Sequence, residues 1–116
     1  MKIDFRERIA ASGEGQSLAG RHQMQILYLT VKLYAPWVHS LKEKRMIVNS
    51  LTSKLRHKFN VSVAEVADQD VHQTIMIGIA ALAAHQAQAD KIMENLVSFV
   101  DRETEAEIQA IKHELR

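Results

Sequence analysis

A chain of 116 residues with 47% apolar side chains can build one modest hydrophobic core and is too short for two. It has no cysteine, which excludes disulfides, thiolate metal sites and cysteine nucleophiles and fits a reducing cytoplasm. The net charge of +1 conceals a segregation: residues 42–58 carry six cations against Glu43 alone, a net of +5, whereas residues 60–116 carry ten acids against four bases, a net of −6.

Residues 1–23 hold three of the four glycines and read as a flexible extension through ASGEGQSLAG, with a brief apolar pattern at Ile3, Phe5 and Ile9. Charged Asp4, Arg6, Glu7 and Arg8 stand where a secretory signal needs an apolar run, so no export signal is expected. From Met24, where the domain of residues 24–116 opens, the pattern turns to period two. Leu27, Leu29, Val31 and Leu33 face one way, and Ile26, Tyr28, Thr30, Lys32 and Tyr34 face the other, which predicts a first strand closed by Pro36.

Ser40 with Glu43 three residues later is a capping-box signature, and it predicts a helix from there to about Phe59. On an ideal wheel Leu41, Val48, Leu51, Leu55 and Phe59 form the apolar side, and Lys42, Arg45, Asn49, Ser53 and Arg56 form the polar one. Lys44 falls near Leu51 and Leu55, where its stem can bury while the ammonium snorkels past the sheet edge into water. VSVAEV at 61–66 predicts a short second strand, and ADQD at 67–70 predicts a turn. A third strand follows, with Ile75, Ile77, Ile79 and Ala81 inward and Thr74, Met76, Gly78 and Ala80 outward. Its apolar run, 75–84, is about half of the roughly 18 residues that a membrane helix requires, so nothing here is expected to span a bilayer.

A second helix is predicted from about His85 to Glu103 on the spacing of Ala89, Ile92, Met93, Leu96 and Val100. The last segment fits two periods: Ile108, Ile111 and Leu115 suit a helix, while Ala106, Ile108 and Ala110 suit a strand. A final strand completes the order βαββαβ. That order is a ferredoxin-like α+β sandwich, an antiparallel sheet with two helices on one face.

HSLKEKR at 39–45, KLRHKFNVSVAEV at 54–66 and DQD at 68–70 resemble the signature of the YlxP-like family, small bacterial proteins carrying a domain of unknown function. The resemblance runs from Met24 to near the end of the chain. It implies a ferredoxin-like fold, a bacterial cytoplasmic location and genes commonly placed beside those for translation initiation and ribosome maturation factors. It supplies no catalytic residues. Two departures are visible: Val71 and His72 stand where the family often has an aromatic, and residues 1–23 have no counterpart in the family pattern.

The candidate nucleic-acid contact is the first helix, through Lys42, Lys44, Arg45, Lys54, Arg56 and Lys58, because clustered cations neutralise backbone phosphates. The competing role of such a charge run is a solvated helix face. Base stacking in the RNA-recognition style is not expected, because the third strand has no aromatic residue. Tyr28, Tyr34 and Met76 on the outward face instead read as an interaction surface for a homodimer or for the extension.

Glu65, Asp68, Asp70 and His72 lack the spacing of a calcium loop, and aspartates in a tight turn are ordinarily turn formers, so no metal site is expected. No phosphate loop, dinucleotide fingerprint or nucleophile elbow occurs. The expectation is a non-enzymatic cytoplasmic module without cofactor that binds RNA or a ribosomal particle, an accessory factor in ribosome assembly or translation. Its rival is a homodimeric scaffold with no nucleic-acid role.

Overall fold

The computed structural model describes residues 24–116. The linker and short apolar element read in residues 1–23 lie outside the described residues. The elements are β1 (Gln25–Tyr34), α1 (Leu41–Lys58), β2 (Ser62–Ala67), β3 (Thr74–Ala83), α2 (Gln86–Glu103) and β4 (Glu107–Leu115), in the predicted order. The four strands form one antiparallel sheet ordered β2-β3-β1-β4, the arrangement expected of a ferredoxin-like sandwich.

β1 and β3 take the centre because they carry the most regular apolar alternation. Leu29, Val31 and Leu33 of β1 and Ile75, Ile77 and Ile79 of β3 are all buried on one face. Both helices cover that face, α1 through Val48, Leu51 and Leu55 and α2 through Leu96, Phe99 and Val100. Phe59, which caps α1, meets Phe99 edge to face with ring centroids 5.3 Å apart and so ties the two helices together. No helix among the described residues is long and apolar enough to cross a membrane.

Local chemistry sets the helix starts. Ser40 is extended, its hydroxyl accepts from the Glu43 N–H at 3.1 Å, and the Glu43 carboxylate reaches back to the His39 N–H at 3.4 Å. The capping pair is therefore real, displaced by one residue on its return arm. His85 caps α2 in the same way, its Nδ1 accepting from the Gln88 N–H at 3.2 Å.

Two bulges reshape the edges of the sheet. In β4, Lys32 opposes Ala110 and Leu33 opposes Ile108, so Gln109 is an extra residue. That insertion brings Ile108 into phase with Ile111 and Leu115 on the helix side of the sheet. The three-residue spacing that imitated a helix is a strand pattern interrupted by a bulge. In β2, Glu65 opposes Ile77 and Ala67 opposes Met76, so Val66 is the extra residue. Glu65, still in regular register with Val63, faces the helices, while Val66 lies over Gly78 on the open face of the sheet.

Candidate nucleic-acid interface

Helix α1 does not present its six cations as one surface. Arg45 and Arg56 lie eleven residues apart, just over three full turns, so they stand nearly in line about 16 Å apart along the axis. Lys42 lies close to that line, and all three are exposed. Arg56 also donates through Nη2 to the Val63 carbonyl at 3.1 Å, which anchors the stripe to the β2 side of the molecule.

Lys54 and Lys58 project toward the other flank, where they line a shallow depression with Ser53, His57, Phe99 and Glu103 between the two helices. There Lys54 pairs with Glu103 at 3.5 Å, both side chains partly exposed, so α2 already answers part of the positive charge. Among the described residues Lys42, Arg45 and Lys58 form no ion pair.

Lys44 departs from expectation. Its side chain is 1% exposed, and the ammonium does not reach water. Nζ donates to the carbonyls of Asp68 and Val71 at 2.5 and 2.6 Å and stands 2.8 Å from Glu65 Oε2. The last contact has the distance of an ion pair but not the angles of a hydrogen bond, so Oε2 is buried with only Coulomb attraction to hold it. A lysine so occupied cannot meet phosphate, and Lys44 leaves the set of contact residues. The wheel predicted its burial correctly. It could not supply the partners, which come from the β2–β3 turn.

That turn also accounts for the acidic cluster. Asp68 adopts the left-handed region, φ 56°, which aspartate tolerates better than most residues and which the turn geometry requires. Glu65 is committed to Lys44. Among the described residues no group of three or more His, Cys, Asp or Glu is placed to hold a metal.

The open face of the sheet is uncovered by any described element. Tyr28, Tyr34 and Met76 all lie on it, half-buried, but not as one cluster. Tyr28 leans over Gly78 beside Val66, and the Arg116 guanidinium carbon stands 5.9 Å from its ring centroid. Met76 belongs instead to a depression lined by Thr30, Lys32, Asp68, Ala110 and Lys112. The cations Lys32 and Lys112 were not singled out from the sequence. Only the β1–β4 register, which sets Thr30 opposite Lys112 and Lys32 opposite Ala110, brings them to one place. Their sequence signal was slight: each is a lone lysine at an outward strand position.

A family model described as "Protein of unknown function (DUF503)" matches residues 26–113. This chain belongs to that family. The uncharacterized protein YlxP of Bacillus subtilis (strain 168) is similar to it, 37% identical over 68 residues that make up 59% of this chain and 74% of that protein. The YlxP-like resemblance carried by HSLKEKR, KLRHKFNVSVAEV and DQD thus marks true membership of the DUF503 family. The DUF503 span includes both helices, all of β2 and β3 and nearly all of β1 and β4. It also includes the exposed cations of α1 and the tyrosines of the open face. Lys44, Glu65 and Asp68 fall one in each of the three signature motifs, so part of that signature is a structural lock rather than a ligand site.

Proposed function

We propose that this protein is a non-enzymatic cytoplasmic module that binds structured RNA or a ribonucleoprotein, acting as an accessory factor in ribosome assembly or translation. The observation that carries the reading is the stripe of Lys42, Arg45 and Arg56, exposed along one face of α1 on a domain whose remaining surface is rich in acids. Cations at the N-terminus of a helix gain nothing from the backbone dipole, and a bound phosphate would be favoured by both. The ribosomal setting rests on the family resemblance.

Binding to small-subunit ribosomal RNA and to ribosomal particles, measured across a salt series, tests this. Replacing Lys42 and Arg45 together by glutamine is expected to lower the log-affinity versus log-salt slope by about 1.5, with the melting temperature nearly unchanged, because each neutralised phosphate contact contributes roughly 0.7–0.9 to that slope. Wild-type protein that fails to bind at low salt refutes the reading. An unchanged slope in the double variant removes α1 as the contact.

A second reading, a homodimeric interaction module with no nucleic-acid role, is supported by the open face. Around Tyr28, the apolar side chains Ile26, Val66 and Leu82 are 46%, 42% and 61% exposed. If copies pack through that face, Tyr28→Glu halves the sedimenting mass. A mass that Tyr28→Glu leaves unchanged removes face-to-face packing.

A further inference from the structure

The two edges of the sheet are not alike. β2 is six residues long and is bulged at Val66, both devices that discourage pairing with another chain. β4 is nine residues long, lacks proline, and has its one irregularity at Gln109, leaving residues 110–116 as a regular exposed edge. Ile111 on that edge is 41% exposed although it lies on the helix side.

The backbone groups that face outward are identifiable. Ile26 and Arg116 exchange both of their N–H to carbonyl bonds, at 2.8 and 2.9 Å. In an antiparallel ladder such pairs recur at every second residue, so Glu114, Lys112 and Ala110 also point their backbone groups at β1. Ile111, His113 and Leu115 therefore point theirs away from the sheet, into the space beside it.

We propose that two copies of this chain pair through these edges, β4 antiparallel to β4, about a twofold axis at His113. The charges select the register. Centring the axis on Lys112 sets Lys112 against itself. Centring it on Glu114 sets Glu114 against itself and Lys112 against Arg116, and centring it on Ile111 runs the ladder into the bulge at Gln109. Centring it on His113 places each Lys112 opposite Glu114 of the second copy and each Ile111 opposite Leu115, with every outward backbone group from Ile111 to Leu115 paired.

The contact is isologous, as a twofold dimer requires. It converts two four-stranded sheets into one of eight strands, with both helix layers on the same side. The Lys42, Arg45 and Arg56 stripes of the two copies then face in a common direction, and both open faces stay free. Pairing of this kind extends the proposed RNA contact without depending on it.

Sedimentation of the full chain across a concentration series, without nucleic acid, is the test. The wild-type mass is expected to approach twice the 13.2 kDa of the single chain. His113→Pro removes the outward N–H at the axis without touching the β1–β4 ladder, and the mass falls to that of one chain. Lys112→Glu and Glu114→Lys each do the same by opposing like charges, and the two substitutions combined restore the dimer. Circular dichroism checks that each variant is folded; should His113→Pro fail to fold, the charge exchange decides alone. A wild-type monomer at all concentrations overturns the proposal. So does a dimer that survives the single reversals, or one that Tyr28→Glu abolishes while they leave it intact.

Discussion

Lys44→Ala is expected to lower the unfolding free energy by about 3 kcal/mol, a loss near the lower end of the range for removing one partner of a buried ion pair. The substitution takes away three interactions at once: the donors to the Asp68 and Val71 carbonyls and the positive charge beside Glu65. Glu65 retains 16% exposure and can recover some hydration, which keeps the loss at the lower end. For a domain of this size a loss of about 3 kcal/mol corresponds to a fall in melting temperature of about 15 °C. Urea denaturation followed by circular dichroism measures it.

Glu65→Gln should cost about 1 kcal/mol, because Lys44 keeps both carbonyls. The asymmetry between the two partners is the diagnostic feature. Equal losses would mean that the ion pair dominates and that the carbonyl contacts contribute little. A loss under about 1 kcal/mol for Lys44→Ala would refute the lock itself. Hydrogen exchange should accelerate in residues 67–73 of the Lys44 variant before it does in β1 or β3, since the lysine is what joins that turn to the first turn of α1.

The second large effect is expected at Gly78, where space rather than backbone conformation demands glycine. A Cβ added there would stand 2.6 Å from Val66 Cγ1 and 3.0 and 3.2 Å from two atoms of Tyr28. Valine at this position must displace both neighbours, and a loss of about 3 kcal/mol is expected, at the top of the overpacking range. Alanine should cost only about 1 kcal/mol. Its smaller clash is partly offset by the loss of glycine's unfolded-state entropy and by its better fit to a strand. Val66→Ala in the Gly78→Ala background should recover most of the stability, because it removes the nearest contact. A double-mutant cycle checks the coupling, and strict additivity would show that the crowding is relieved elsewhere. Gly78→Val should also expel the Tyr28 ring from its place, so the same variant reports on the open face through the environment of that tyrosine.

The outer cations illustrate how far a linear charge count carries. Six positive charges in residues 42–58 suggested one basic patch. The fold distributes them over three surroundings: a stripe of Lys42, Arg45 and Arg56, a flank of Lys54 and Lys58 answered in part by Glu103, and an interior site for Lys44. Helical periodicity was sufficient to separate the stripe from the flank. Glu103 lies 49 positions beyond Lys54, and no local pattern could have paired them.

The element order, the faces of β1, β3 and α1, and the cap at Ser40 were all legible in the linear pattern of residues. Each of these follows from interactions between residues a few positions apart, where steric alternation, helical pitch and side-chain hydrogen bonding act within one segment. The final strand was legible only through the order of the other elements, because the bulge at Gln109 gave its apolar residues a helical spacing. Tertiary structure alone decided three matters: the partners of Lys44, the meeting of Lys32 with Lys112, and the crowding at Gly78 by Val66 and Tyr28. All three depend on strand register and on the placement of bulges. A shift of one residue sends a side chain to the opposite face of a sheet, and that shift is fixed by packing across the whole domain rather than by any neighbouring residue.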